Sequence, residues 1–249
     1  MNVIGIIPAR YASTRFEGKL LAELCKKPVI QHVWENAKKS KSIDELIIAT
    51  DDKRIYDVCK GFGAKVSYTS KAHKSGSDRL TEIVASIDTK VVVNIQADEP
   101  FIHPTMIDEV VDPILKDSSI DMTTLCHKIK NKEELLDPNV VKVVMNRAGF
   151  AMYFSRSPIP YDRSNSLKAS GYYKHVGLYA YTRDFLFTFK SLPQSRMEKI
   201  EKLEQLRVIE NGYRIKVSET KFDTVGIDTP EDLQRANELI NGAKQLSFL

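Results

Sequence analysis

Val3-Ile4-Gly5-Ile6-Ile7-Pro8-Ala9-Arg10-Tyr11-Ala12-Ser13-Thr14-Arg15-Phe16-Glu17-Gly18-Lys19 is the stretch from which the fold is read. Its apolar start, 3–7, reads as a buried strand. A short loop follows that holds Arg10, Arg15, Lys19, two hydroxyls and Gly18. Buried strands of α/β proteins deliver their loops to a crevice at the carboxyl edge of the sheet. A loop of this composition there suits a polyphosphate. It offers charged donors for the oxygens and small residues that let the backbone approach. The competing reading is a solvated basic loop. That accounts for the charges, but not for their place between the first strand and a helix signal at Pro28.

Outward from this loop, strand and helix signals alternate. Pro28 suits a first helical residue, with a helix over 29–39. Residues 46–49 read as a strand, and Thr50-Asp51-Asp52 as the start of a helix ending near Gly61 or Gly63. A short strand over 65–68, a helix over 79–87 and a buried strand over 91–95 follow. Behind Pro104, Ile107, Val110, Val111, Ile114 and Leu115 recur at helical spacing. This alternation implies a mostly parallel sheet with helices on both faces. After about Asp121 the pattern changes to strands over 122–126, 140–145, 151–155 and 176–181. A turn at Arg147-Ala148-Gly149 separates two of them, which reads as a mixed-sheet excursion. The polar segment 160–171 reads as a mobile loop. A helix over 198–210, a strand over 214–218, a strand-like run over 224–227 and a last helix from Pro230 complete the reading.

With 249 residues the chain suits one large α/β domain. Its 42% hydrophobic and 28% charged content is that of an ordinary globular protein and excludes a disordered one. The net charge of +4 favours anionic ligands without demanding nucleic acid. No apolar run reaches the length of a membrane span. The first apolar run has no basic stretch before it, so no signal peptide is expected. Cys25, Cys59 and Cys126 fit neither a disulfide framework nor a zinc site, and read as reduced thiols of a cytoplasmic protein.

Candidate chemistry lies at the strand ends. Asp98, after the strand over 91–95, is placed to hold Mg²⁺ while phosphate oxygens complete its shell. Asp228 is a second such carboxylate. A cap at the start of the last helix, Asp228-Thr229-Pro230-Glu231-Asp232, competes for it. Ser75-Gly76-Ser77-Asp78-Arg79 is a small-residue turn whose N–H groups suit a phosphate or a nucleobase, or simply open a helix. In the second half Arg156, Arg163, Lys174, His175, Glu204, Gln205 and Arg207 stand out as donors and acceptors for a sugar acid. His175 also reads as a packed histidine, and Glu204 and Gln205 as the polar face of a helix. There is no nucleophile elbow, no Cys-His pair, no zinc-type His pair and no Walker loop.

In combination these stretches resemble one family. They are 7–15 with Gly18-Lys19, Ala49-Thr50-Asp51, Ser75-Gly76 with Asp78-Arg79-Leu80, Asn94-Ile95-Gln96 and Asp98-Glu99-Pro100. They continue through 139–144, Tyr153-Phe154-Ser155-Arg156 with Ile159-Pro160, Lys174-His175-Val176-Gly177, 203–207 and 228–233. The chain resembles the 3-deoxy-manno-octulosonate cytidylyltransferases, or CMP-Kdo synthetases, in order and over nearly its whole length. The resemblance implies a single Rossmann-like nucleotidyltransferase domain over 1–249. Its nucleotide part would span about 1–120, its sugar and dimerisation part about 121–220, and its C-terminal metal Asp and helix 221–249. It implies a homodimer that joins CTP and Kdo into CMP-Kdo and pyrophosphate for lipopolysaccharide assembly. No nucleic acid and no membrane insertion would be involved.

By the same resemblance Arg10 and Lys19 would hold the triphosphate, in a loop shaped by Ser13, Thr14 and Arg15. Asp98 and Asp228 would coordinate Mg²⁺. Ala9, Ser75, Gly76 and Arg79 would line the cytidine side. Gln96, Arg156, His175, Glu204 and Gln205 would surround the sugar acid. Glu17 stands where the family commonly has Pro, and Ala97 and Cys25 where it commonly has Gly. Competing functions are the same transfer to another sugar acid such as 8-amino-Kdo, a nucleotide-sugar sensor without turnover, and a glycosyltransferase that uses a CMP-sugar.

Overall fold

The computed structural model describes residues 2–73, 76–163 and 171–246. Its elements are β1 (Val3–Ala9), a 3₁₀ turn (Lys19–Leu21), β2 (Glu23–Leu24), β3 (Lys27–Pro28), α1 (Val29–Ala37), β4 (Glu45–Thr50), α2 (Lys53–Gly61), β5 (Lys65–Tyr68) and α3 (Gly76–Val84). There follow β6 (Val91–Asn94), α4 (Pro104–Lys116), β7 (Met122–Lys128), α5 (Lys132–Leu136), β8 (Lys142–Met145), β9 (Ala151–Ser155) and β10 (Tyr173–Thr182). The last are α6 (Arg183–Ser191), α7 (Arg196–Glu201), α8 (Leu206–Glu210), β11 (Lys216–Glu219) and α9 (Pro230–Leu246). The chain is mixed α/β with a mostly parallel central sheet, as the alternation predicts.

It divides into two compact units. The first comprises 1–89, 94–105 and 223–249, the second 90–93 and 106–222. In the first, β1 pairs in parallel with β4, and β4 with β5. Every residue of β1 except Pro8 is buried, because both faces of a parallel sheet are covered. Helix α1 buries Val29, Ile30, Val33 and Ala37, one stripe at helical spacing. Helix α2 starts where expected, with the Asp52 carboxylate accepting from the Arg54 N–H. In the second unit β7 pairs in parallel with β11 and antiparallel with β10. Antiparallel pairs β10–β8 and β8–β9 extend it, which is the mixed β region read after Asp121.

Several boundaries differ from the sequence reading. Pro28 caps α1 from outside, at ψ 144°, rather than opening it. The helix expected over 198–210 is two helices, because Lys202 takes a left-handed conformation at φ 56°. Residues 224–227 are not a strand. The hairpin β2–β3 and helices α5 and α6 have no counterpart in the sequence reading. Ser75 and most of 160–171 lie outside the described residues.

Candidate active site

Two carboxylates and two cations of the first unit meet at the end of the loop behind β1. The Lys19 ammonium is 2.5 Å from Asp98 Oδ2 and 2.8 Å from Asp228 Oδ1. Arg15 Nη2 is 3.0 Å from Asp228 Oδ2. Burial lowers the Lys19 pKa, but the charges and hydrogen bonds of Asp98 and Asp228 outweigh it, so the net shift is upward. Lys19 is therefore a fixed cation at neutral pH.

The loop that carries Lys19 is closed by its own backbone. The Gly18 N–H donates to the Tyr11 carbonyl at 3.0 Å. Gly18 sits at φ 70°, and a Cβ there would lie 2.9 Å from the Tyr11 hydroxyl oxygen. Conformation and space both require glycine at this position.

A single backbone bond brings the two acids together. The Ile227 N–H donates to the Asp98 carbonyl at 2.9 Å. Beneath it, Leu24, Val29, Ile227 and Ala236 form a buried cluster with Phe16, Phe101, Leu233 and Ile240 packed against it. The cap at the start of α9 does not use Asp228. Thr229 Oγ1 accepts from the Asp232 N–H, and Asp232 Oδ2 accepts from the N–H groups of Asp228 and Thr229. The Asp228 carboxylate is thus left to Lys19 and Arg15, which resolves the competition between the cap and the site.

A cavity of about 450 Å³ opens over these groups. Arg10, Ser13, Thr14, Arg15, Lys19, Gly76 and Arg79 line it, together with Gln96, Ala97, Asp98 and Asp228. Gln96, expected among the sugar residues, thus shares a cavity with residues expected on the nucleotide side. Ala9 is fully buried in β1 and does not line it. Arg79 is a wall rather than a mobile anion ligand. It is 1% exposed, and its guanidinium donates to Thr69 Oγ1 at 2.5 Å and to Asp51 Oδ2 at 2.6 Å. Arg10 donates to the His73 carbonyl at 2.6 Å. Glu17 lines a neighbouring cavity of about 320 Å³ with Arg54 and Lys71, so its charge lies off the carboxylate site. Sequence reasoning assigned no role to Glu99. Burial, then the adjacent Asp98 charge, pushes its carboxyl up to about 7; no pattern of residue types signals such a shift.

The second-half candidates belong to the second unit. Arg156, at the end of β9, donates from Nε to the Glu201 carbonyl at 2.8 Å and from Nη1 to the Pro138 carbonyl at 2.9 Å. Glu201 also accepts from the Arg156 N–H at 2.9 Å and the Ser155 hydroxyl at 2.8 Å. His175 packs edge-on against Phe154, with centroids 5.0 Å apart, and lies 3.0 Å from the Thr124 hydroxyl. Burial pushes its pKa down to about 3, so the ring is neutral. Glu204 and Gln205 lie between α7 and α8 instead of on a helix face, the first exposed and the second buried. Arg207 is a structural clamp, forked onto Glu198 at 2.8 and 2.5 Å. Lys174 pairs with Glu134.

Among the described residues no three His, Cys, Asp or Glu side chains gather into a metal site. Two carboxylates beside a cationic loop are nevertheless the donor set that Mg²⁺ takes when substrate phosphates supply its other ligands. Cys59 and Cys126 are buried with thiols pushed up to about 12, which makes them unreactive. No described helix is long and apolar enough to cross a membrane.

Comparison with known proteins shows the family. The family model described as cytidylyltransferase matches residues 4–217. A 3-deoxy-manno-octulosonate cytidylyltransferase of Geobacter metallireducens is 50% identical, over 97% of this chain and 98% of its own. One of Geotalea uraniireducens is 51% identical, over 96% and 98%. A solved CMP:2-keto-3-deoxy-manno-octonic acid synthetase complexed with CTP superposes with a TM-score of 0.91 at 40% identity. The match covers 98% of this chain and all of that one. A carboxylate pair held beside a cationic loop, in a chain alike over its full length to these enzymes, places it: the chain belongs to the cytidylyltransferase family, among the 3-deoxy-manno-octulosonate cytidylyltransferases.

Proposed function

We infer that the protein transfers CMP from CTP to Kdo, giving CMP-Kdo and pyrophosphate. The observation that carries this is the convergence of Lys19, Arg15, Asp98 and Asp228 on one cavity, in a chain of this family. The anomeric hydroxyl of Kdo attacks the α-phosphorus, a new O–P bond forms, the bond to the β-phosphate breaks, and the hydroxyl proton is released. Such a reaction is catalysed chiefly by alignment and by neutralising charge.

Arg10, Arg15 and Lys19 bind the triphosphate, with Ser13 and Thr14 shaping the loop. Ser75, Gly76 and Arg79 form the cytidine side. Gln96, Arg156, His175, Glu204 and Gln205 surround the sugar, with Arg156 nearest its carboxylate. Asp98 and Asp228 would hold Mg²⁺, which when bound would draw charge from the α-phosphate and so favour attack on it. The enzyme works in the cytoplasm as a homodimer through the 121–220 part, and supplies activated sugar for lipopolysaccharide assembly.

The test is pyrophosphate release from CTP and Mg²⁺ with Kdo, with 8-amino-Kdo and with a sialic acid. Rapid release with Kdo alone is expected. Release only with another acid changes the acceptor and keeps the chemistry. No release from protein that still binds CTP overturns the transfer reading in favour of a sensor.

A further inference from the structure

We propose that Arg54 is a positioning residue for the nucleotide loop, acting through Tyr11; this rests on the reading of 10–19 as the triphosphate loop. Arg54 lies in the first turn of α2, and its guanidinium is fixed from below. Asp52 Oδ1 accepts from Arg54 Nε at 2.9 Å and Oδ2 from Nη2 at 2.6 Å. The same carboxylate accepts from the Arg54 backbone N–H at 2.9 Å, so the helix cap and the side-chain anchor are one group. Held this way, the guanidinium lies 3.3 Å from the centroid of the Tyr11 ring. A planar guanidinium suits such stacking better than an ammonium does.

Tyr11 is in turn the residue on which the loop closes. Its carbonyl accepts from the Gly18 N–H, and its ring occupies the space that a Cβ on Gly18 would take. Gly18 directly precedes Lys19, which holds Asp98 and Asp228. A continuous chain of contacts therefore runs from the start of α2 through Arg54, Tyr11 and Gly18 to the Lys19 ammonium. Arg54 lines the smaller cavity beside the site and not the one over the carboxylates. Asp52 already neutralises it. Arg54 thus acts on the shape of the loop rather than as a phosphate ligand. Shape matters because a polyanion gains from donors set before it arrives, and a loop that must be ordered on binding gives part of that gain away.

The experiment measures CTP binding by calorimetry with Mg²⁺ present, together with the KM values for CTP and Kdo and the melting temperature. The proteins are wild type, Arg54→Ala, Arg54→Lys, Tyr11→Phe, Tyr11→Ala and the Arg54→Ala/Tyr11→Ala double variant. Arg54→Ala is expected to weaken CTP binding about fivefold, the scale of an exposed cation–π contact. Its KM for Kdo and its melting temperature stay at wild-type values. Arg54→Lys recovers part of the loss, and Tyr11→Phe, which keeps the ring, binds as wild type does. The double variant binds no more weakly than Tyr11→Ala, because both substitutions break one chain of contacts. Wild-type CTP affinity in Arg54→Ala, additive losses in the double variant, or equal rises in both KM values would overturn the proposal. A wild-type protein that binds no CTP would instead overturn the reading of the loop itself.

Discussion

The Ile227 N–H donates to the Asp98 carbonyl at 2.9 Å, and that bond sets the Asp98 and Asp228 carboxylates on either side of one ammonium. The acids lie 130 residues apart in the chain, yet Lys19 touches both. Lys19 neutralises one of the two negative charges, and Arg15 meets the other at Asp228. These four side chains therefore sum to no net charge.

Asp98→Asn should separate turnover from nucleotide binding. A metal held by Asp98 and Asp228 acts chiefly on charge that develops as pyrophosphate departs, so its loss falls on kcat. We expect kcat to fall by about two to three orders of magnitude. CTP binding measured in EDTA should stay equal or become tighter, because one carboxylate fewer repels the triphosphate and Lys19 has lost a competing partner. A near-normal rate at saturating Mg²⁺ would remove Asp98 from the metal site.

Arg156→Ala should act on both sugar binding and stability. Two guanidinium donors go to the Glu201 and Pro138 carbonyls, so truncation removes both hydrogen bonds. A loss of about 1–2 kcal/mol in denaturant unfolding is expected. The KM for Kdo should rise with little change in the KM for CTP. Equal rises in both would take Arg156 out of the sugar pocket and leave it a scaffold residue.

What the sequence made legible follows from how local each signal is. The strands over 65–68 and 151–155 have the bounds read for them, because short apolar or alternating runs between turn residues are complete local signals. Ile200, Leu203 and Leu206 keep a helical apolar spacing across the break between α7 and α8, so the pattern shows one helix over 198–210. Lys202 turns left-handed with no glycine to announce it. Asp98 and Asp228 were readable as acids behind apolar runs. Their shared ammonium was not, since it depends on pairing between remote segments. Arg207 and Lys174 looked available for a sugar acid by residue type. Glu198 and Glu134 already occupy them, and composition carries no record of that.

Lys26→Gly should stabilise the protein. Residues 25 and 26 form the two-residue turn between β2 and β3, with φ of 48° and 71°. Left-handed conformations at both positions suit glycine, and other residues cost about 1–2 kcal/mol each. Cys25 recovers part of this cost, because its N–H donates to Asn237 Oδ1 at 3.0 Å and its thiol lies 3.4 Å from the same oxygen. Lys26 is exposed. Glycine relieves the strain but gives the unfolded chain more freedom, so the net gain should be about 0.5–1 kcal/mol. Thermal melting should show a rise of about 1–4 °C. Cys25→Gly should gain less, since it also gives up the thiol contact.

His175 should stay neutral across the physiological range, and stability should record it. Burial against Phe154 and Tyr179 pushes its pKa down to about 3, against about 6.5 in an unfolded chain. Between those values the unfolded state holds the extra proton, so stability rises with pH through this window. The contribution is complete above about pH 6.5 and is lost progressively as pH falls toward 3. Its slope cannot exceed about 1.4 kcal/mol per pH unit. Urea midpoints at pH 7.5, 6 and 5 should fall in that order, and His175→Gln should flatten the trend while keeping a partner for the Thr124 hydroxyl. NMR of the labelled imidazole should show no titration between pH 5 and 8. A ring that titrates near 6.5 would mean that water reaches it and that burial does not hold it neutral.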